Sequence, residues 1–298
     1  MASSNPSSRL SAFLWVILAY IIGIGLGALV GHHFYWEGRS LIFVVAAADI
    51  VATIVVFIFS YIFKNSSFYD PYWSVIPIVI AAFLVVEGWD SGADHLRSIA
   101  MLALVSFWGI RLTYNWAVGW PGLHHQDWRY DDLQEQNGKW YWLVSFSGIH
   151  MFPTVLVFLG CLTLFPSMTE AGNAFNIIDV IAIAFTLGAI IIELVADEQL
   201  RAFVRRRKDP GEALMTGLWK YSRHPNYFGE TAFWWGLFLF TLAAKPELWW
   251  YVIGPVSMTI LFHFISIPMI EKRSLKRRPE YQMVIDQVPR WIPWFPKK

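Results

Sequence analysis

Apolar residues arrive in long runs separated by short polar breaks. A hydrocarbon core is crossed by about 20 apolar residues of helix, and eight runs reach or approach that length: 12–30, 41–63, 73–88, 98–118, 140–165, 177–197, 226–244 and 248–270. The third is short, and the sixth and seventh end in polar residues. The pattern predicts an all-α, polytopic integral membrane helical bundle of about eight transmembrane helices with a C-terminal amphipathic tail. In the first run, Gly23 and Gly27 stand four apart, a spacing that lets helices approach closely.

Composition supports lipid as the solvent: 56% of the residues are hydrophobic and only 15% charged, against about 25% charged in a soluble domain. The single cysteine, Cys161, forms no internal disulfide, and no metal-ligand spacing is present. Charge is sorted by position. With eight spans and the N-terminus inside, 19 of the 23 Lys/Arg fall on one side and only Arg39, Arg97 and Lys245 on the other, with Arg111 inside a span. The positive-inside rule then makes both termini and the basic loops cytoplasmic, in a bacterial inner membrane or the endoplasmic reticulum. The longest polar stretches, 119–139, 198–221 and the tail from Glu271, share that face, where a soluble cofactor would be met.

Ionisable groups inside a span are costly and need a reason. Glu87 and Asp179 read as span-end groups that reach water. Asp49, His150 and His263 divide evenly between that reading and a functional one. Arg111 is deep in its span and shares one helix face with Trp108 and Asn115, so that face points into the bundle, toward a structural carboxylate or a ligand. Glu193, Asp197 and Arg201, four residues apart, form a second stripe, suited either to an Asp197–Arg201 helix pair or to sugar hydroxyls or an amide.

The segment GLWKYSRHPNYFGETAFWWG (217–236) has the features of an anion entrance. Pro225 can begin a helix, with Ser222 or His224 as its cap, and the unsatisfied amides of the first turn favour anions. Arg223 precedes it, and Arg205, Arg206, Arg207 and Lys208 lie one loop away. Asn226, Glu230 and Trp234 would line one wall. The arrangement suits a nucleotide with its phosphates at the rim and its reactive end in the membrane.

SRHPNYFGE (222–230) resembles the motif of a superfamily that contains steroid 5α-reductases, sterol reductases and isoprenylcysteine carboxyl methyltransferases. The string of Glu193, Asp197, Leu200-Arg201, Pro210-Gly211-Glu212, Gly217-Leu218-Trp219-Lys220-Tyr221, Asn226 and Gly229-Glu230 is most similar to the 5α-reductase-like branch, as is the tail with Glu271, Tyr281 and Ile292-Pro293-Trp294. The resemblance covers about the last hundred residues. It implies an N-terminal substrate side (1–140) and a C-terminal domain with the cofactor pocket (141–298). It implies NADPH contacts from Asp197, Arg201, Asn226, Tyr227 and Glu230, with Glu193, Arg207, Lys208, Tyr221, Arg223, His224 and Glu271 on the same side. Arg111 resembles the family's arginine in the substrate helix. Of the Glu and Tyr that hold the substrate's ketone oxygen, Asp70 would stand for the Glu, whereas Trp108 occupies the place of the Tyr; Tyr72 and Tyr114 are the candidate replacements.

The expected chemistry is hydride transfer from NADPH to an activated C=C of a lipophilic, steroid- or isoprenoid-like substrate, with Asp70 as the donor to the developing enolate oxygen. Asp70-Pro71 read as a plain interfacial turn is the bland alternative. An S-adenosylmethionine-dependent lipid or isoprenylcysteine methyltransferase is the runner-up, and a non-catalytic sterol- or lipid-binding protein the third class. The expected partners are the lipophilic substrate and membrane lipid, with no nucleic acid and no protein partner implied.

Overall fold

The computed structural model describes residues 6–209 and 211–297; Pro210 of the Pro-Gly-Glu turn therefore lies outside the described residues, within which there is no strand. In chain order the helices are α1 (Pro6–Trp36), α2 (Leu41–Phe63), α3 (Tyr72–Gly88), α4 (His95–Gly119), α5 (Trp128–Asn137), α6 (Tyr141–Val144), α7 (Phe152–Cys161), α8 (Leu164–Thr169), α9 (Ile177–Arg206), α10 (Pro225–Ala244), α11 (Ile253–Ile260), α12 (Ile267–Arg277) and α13 (Tyr281–Gln287). π-Helical turns join α6 to α7 (Ser145–Met151) and α11 to α12 (Leu261–Ser266).

Seven stretches among the described residues are long and apolar enough to cross a membrane: Ser8–Trp36, Leu41–Phe63, Ser66–Gly88, His95–Gly119, Trp128–Cys161, Ile177–Arg206 and Pro246–Arg277. The protein is an integral, multi-pass, all-α membrane protein. The run at 226–244 forms helix as expected, but α10 is not among the seven. Fourteen of its 20 residues are buried by protein, so it can carry Glu230, Thr231 and Thr241 without presenting them to lipid. Its length, about 30 Å at 1.5 Å per residue, matches a bilayer core. The span expected at 140–165 ends earlier, at Cys161, and the polar stretch 119–139 contains a helix of its own, α5, capped by Asp127.

The chain forms two compact units. One comprises residues up to Glu87 together with Val105–Phe165; the other comprises Gly88–Leu104 and the chain from Pro166 onward. In the first, α1 and α2 pack backbone to backbone. A Cβ on Gly27 would lie 2.5 Å from the Ala48 carbonyl oxygen, and one on Gly23 would lie 3.1 Å from that of Ala52. The close approach expected of the glycine pair is present, because only a missing side chain permits it.

In the second unit, Gly229 of α10 meets α9 in the same way, its absent Cβ leaving room for the Ala189 carbonyl. Asp179 does not reach water. It is fully buried and accepts two bonds from Arg97, from Nε at 2.7 Å and Nη2 at 2.8 Å. It also closes a capping box with Asn176 at the start of α9. A carboxylate held by a guanidinium and a backbone N–H can stay ionised without solvent.

Candidate functional site

In the first unit the polar side chains of α2 face inward. Asp49 lies two turns into the helix, about 12 Å from its start, and is 2% exposed. Tyr72, at the first turn of α3 and 1% exposed, donates from Oη to Asp49 Oδ1 at 2.7 Å. Asp49 Oδ2 is buried and has no hydrogen-bond partner. The residue is among those that line a cavity of about 430 Å³ between α1, α2 and α3, whose walls are mostly apolar (Ile24, Val45, Ala52, Ile80, Phe83). One turn further along α2, Thr53 hydrogen-bonds Thr154 (3.0 Å), which in turn bonds Tyr69 Oη (2.8 Å). His150, on the π-turn, bonds Ser60 through Nε2 (3.0 Å) and the Ser145 carbonyl through Nδ1 (2.9 Å). The carbonyl can only accept, so the ring's proton sits on Nδ1. His150 is completely buried and does not reach water.

Of the residues the sequence put forward on this side, Tyr72 bonds Asp49 and Asp70 bonds Tyr130. Asp70 is half-buried in the turn before α3 and accepts a short bond from Tyr130 Oη; it does not line the cavity. Tyr114 is 60% exposed on α4. Trp108 and Arg111 are buried and Asn115 half-buried, so the inward face of α4 is as expected, with Trp108 edge-on to Trp73. Asp49 was visible in the sequence as the lone charge within the run 41–63.

The second unit holds a cavity of about 340 Å³ lined from α9 (Phe203, Arg207), the motif segment (Arg223, His224, Asn226, Tyr227) and the tail (Arg278, Tyr281). The motif's polar residues largely hold the tail in place. Ser222 Oγ donates to the Trp291 carbonyl at 2.6 Å, and the Arg223 backbone N–H donates to Pro289. The Arg223 guanidinium donates to Glu271 (2.7 Å) and to the carbonyls of Ile285 (2.6 Å) and Val288 (3.0 Å). His224 Nε2 joins Glu271 at 3.2 Å. Burial pulls the His224 pKa below its ordinary value, with the bond to Glu271 opposing. His224 caps α10, but no side chain accepts at the cap; Ser222 Oγ instead accepts from the His224 N–H at 3.1 Å.

Asn226 and Tyr227 line this cavity, whereas Glu193, Asp197, Arg201, Lys208, Tyr221, Glu230, Trp234 and Glu271 are not among its lining residues. Asn226 Nδ2 donates to Asp197 Oδ1 at 3.3 Å. Glu230, 2% exposed, accepts from Trp234 Nε1 at 2.9 Å. Arg201 pairs with Glu198 at 2.6 Å. Glu193 is buried under Gly229. Tyr221 packs on Phe295, and Lys208 is exposed. Arg278 is a charged lining residue that the sequence left unmarked. Burial, and then the charge of Arg207, hold its pKa below the usual arginine range. Arg207 and Arg278 thus join Arg223 among the cavity's lining residues, and guanidiniums so grouped favour anions. Tyr281 beside them is pushed up to about 12 by burial.

Residues 56–288 match the family described as "Protein of unknown function (DUF1295)". An uncharacterized protein of Schizosaccharomyces pombe, C594.04c, is 27% identical over 253 residues, covering 77% of this chain and 73% of the relative. No solved structure matches.

Proposed function

We propose that this chain, which belongs to the DUF1295 family, is an NADPH-dependent reductase of a C=C conjugated to a carbonyl in a lipophilic substrate. The observation that carries the reading is the Tyr72–Asp49 bond at the wall of an apolar cavity, with Asp49 Oδ2 left without a partner. A buried carboxyl at the edge of an apolar cavity, with one oxygen held by Tyr72 and the other without a hydrogen-bond partner, suits a single polar atom of an otherwise greasy ligand. The resemblance of the C-terminal third to the 5α-reductase-like branch supports the same reading.

NADPH, when bound, would supply a hydride to the β-carbon of the substrate. The electron pair of the C=C moves to the carbonyl oxygen, where Asp49 in its acid form gives a proton from Oδ2 while Tyr72 holds the carboxyl by Oδ1. The enol returns to the ketone at the α-carbon, and one solvent proton restores Asp49. The net reaction consumes one NADPH and one proton per double bond. The cavity of the second unit, at the small end of the roughly 300–1,000 Å³ usual for ligands, fits the phosphate-bearing part of the cofactor. There Arg207 and Arg278 would hold phosphate, with Asn226 and Tyr227 beside it. S-adenosylmethionine, the cofactor of the methyltransferase alternative, has no phosphate to occupy that pair.

The sorting of basic residues supports cytoplasmic termini and loops, with α10 as an eighth crossing. The test is NADPH consumption by purified protein in lipid nanodiscs across a panel of steroidal and isoprenoid enones. Asp49→Asn and Tyr72→Phe are expected to lose at least about a hundredfold in turnover while still binding NADPH. Unchanged turnover in both variants, or binding of S-adenosylmethionine in place of NADPH, would overturn the reading.

A further inference from the structure

The chain beyond α13 is short but fixed. Lys297 N–H donates to the Gln287 carbonyl at 2.9 Å, so residues 288–296 form a closed loop. Three further bonds staple that loop to the motif segment. Arg223 N–H donates to the Pro289 carbonyl (2.9 Å), Ser222 Oγ to the Trp291 carbonyl (2.6 Å) and Trp294 N–H to the Tyr221 carbonyl (2.9 Å). Within this stapled loop Ile292, Trp294 and Phe295 point away from the protein, 64%, 70% and 71% exposed. The rings of Trp294 and Phe295 are 6.1 Å apart, so the exposed groups are neighbours. Grouped large apolar side chains held outward by backbone bonds mark an interaction surface.

Three contacts fix the level of the loop along the helices of the second unit. Trp291 packs on His263 with ring centroids 5.5 Å apart, and His263 lies in the π-turn inside the apolar stretch Pro246–Arg277. Around it Ile260, Phe264 and Ile265 are exposed, and the exposed face of an apolar stretch of this length is its lipid-facing side. Tyr227, in the first turn of α10, packs on Phe262 at 5.0 Å, and Asn226 bonds Asp197. At Asp197 the apolar run of α9 gives way to Asp-Glu-Gln and the arginines that follow. The loop therefore sits at the edge of the hydrocarbon, where α9 leaves it and α10 begins. It does not lie out with the charged ends of α9 and α12.

Composition suits that level. Trp is favoured at membrane–water interfaces, where its ring lies among the headgroups. Residues 271–297 hold seven Lys/Arg against three Asp/Glu. Two of these cations flank the apolar tip: Lys297 is exposed, and Arg290 is partly exposed with its Nε 3.5 Å from Glu271. A net positive segment beside an apolar tip matches the surface of a leaflet that carries anionic headgroups.

We propose that residues 288–297 are a membrane anchor: Ile292, Trp294 and Phe295 enter the headgroup–acyl boundary of the leaflet on the side where α9 and α12 end, with Arg290 and Lys297 among its phosphates. The partner is the lipid surface itself. The anchor also steadies the cavity of the second unit. Directly before the loop, α13 brings Tyr281 and Val284 to the cavity wall. Arg223, which lines the same cavity, is bonded to the carbonyls of Ile285, Val288 and Pro289. Lipid that holds the loop therefore holds that wall. The inference is independent of what the cavity binds.

Spin labelling of the full-length protein in nanodiscs tests the anchor. With the buried Cys161 changed by Cys161→Ala, one label is placed through Trp294→Cys or Phe295→Cys. Phe264→Cys is the lipid control and Asp286→Cys the aqueous one. Labels at 294 and 295 are expected to be relaxed more by oxygen than by a water-soluble nickel chelate, as at 264 and opposite to 286. They should sit deeper in an equal mixture of phosphatidylcholine and phosphatidylserine than in phosphatidylcholine alone, and Arg290→Gln with Lys297→Gln should remove that difference. Hydrogen exchange reads the cavity wall. Ile292→Ser, Trp294→Ser and Phe295→Ser combined should speed exchange of the α13 amides by about tenfold, a loss of about 1.4 kcal/mol of protection, and leave α9 and α10 as in the wild type. Labels at 294 and 295 that behave like the one at 286 would mean that water or another protein chain covers the tip, and the anchor falls. A depth indifferent to phosphatidylserine overturns the role of the cations. Unaltered α13 exchange overturns the hold on the wall, and the labels decide the anchor even where the triple variant does not fold.

Discussion

Tyr72 Oη lies 2.7 Å from Asp49 Oδ1, a phenol at the start of α3 bonded to a carboxyl two turns inside α2, both almost wholly out of solvent. Neither side chain would be stable there alone, since an unpaired polar group in an apolar interior is expensive. Together they satisfy one oxygen of the carboxyl and the phenolic hydrogen, and leave Oδ2 without a hydrogen-bond partner.

That remaining oxygen gives a first prediction. A hydrophobic carbodiimide reaches carboxyl groups from the membrane and reacts with them in their acid form. Asp49, lining an apolar cavity, should be modified, and Asp49→Asn should remove that adduct in peptide mass mapping. Asp70, bonded to Tyr130 and outside the cavity lining, should react far more slowly. Equal labelling of Asp70 and Asp49 would show that the cavity does not admit the reagent.

How much of this could be read from the sequence differs by level. The runs of apolar residues locate the helices because a bilayer imposes length and composition on every crossing. The run at 226–244 was legible as a helix in this way, although α10 is not among the seven stretches apolar enough to cross and most of it is buried by protein. Gly23 and Gly27 announced the α1–α2 contact because small residues have few other uses at that spacing. Pairings between elements were not legible. Asp70 and Asp49 are both acidic residues near Tyr72 in a plausible register, and only the packing of α2 on α3 brings Asp49 to it. Arg278 likewise sits in a tail rich in basic residues, and nothing local marks it as the one that turns toward Arg207. The SRH of the motif looked like an anion rim, but its arginine is occupied by Glu271 and the carbonyls of the tail.

The Arg97–Asp179 pair is a stability prediction. Removing one member of a buried ion pair leaves a charge without compensation and costs about 3–5 kcal/mol. Arg97→Ala should therefore lower the melting temperature in detergent sharply, and Arg97→Ala combined with Asp179→Ala should recover part of the loss. A double variant no more stable than the single would assign the effect to lost packing.

Helix contact predicts a second, independent loss. Gly27→Ala places a Cβ about where the Ala48 carbonyl oxygen already is, so α1 must move off α2. Overpacking of this kind costs about 1–3 kcal/mol. Gly25→Ala, where a Cβ meets nothing within 4 Å, should be neutral in the same melt and serves as the control.

The His224 pKa fixes a pH dependence. Its folded value lies below its ordinary value because the ring is buried. As pH falls through about 6.5 the unfolded chain takes up a proton that the folded chain resists. The unfolded state then binds more protons, so stability rises with pH in this window and is lost as pH drops from about 6.5 toward the folded pKa. Melting temperatures between about pH 7.5 and 5.5 should decline for the wild type and decline less for His224→Gln.

The anion site in the second unit allows the sharpest separation of the proposed cofactor from its alternatives. Arg207 comes from the end of α9 and Arg278 from just beyond α12, and their mutual repulsion in a partly buried setting is a standing cost that a bound dianion would relieve. NADPH differs from NADH by one ribose phosphate, so the pair predicts a preference for NADPH of at least about tenfold, 1.4 kcal/mol, a floor just under the range of about 1.5–3 kcal/mol for one charge-assisted contact. Arg207→Gln and Arg278→Gln should each weaken NADPH and leave NADH nearly unchanged, and each should raise the stability of the cofactor-free protein slightly by removing the repulsion. Arg201→Gln, whose partner is Glu198, should change neither affinity. Isothermal titration of the four proteins with both cofactors reads all of these. If wild type binds the two nucleotides equally, or if Arg278→Gln is silent while Arg201→Gln weakens NADPH, the phosphate lies elsewhere and the cavity beside Arg278 serves another ligand.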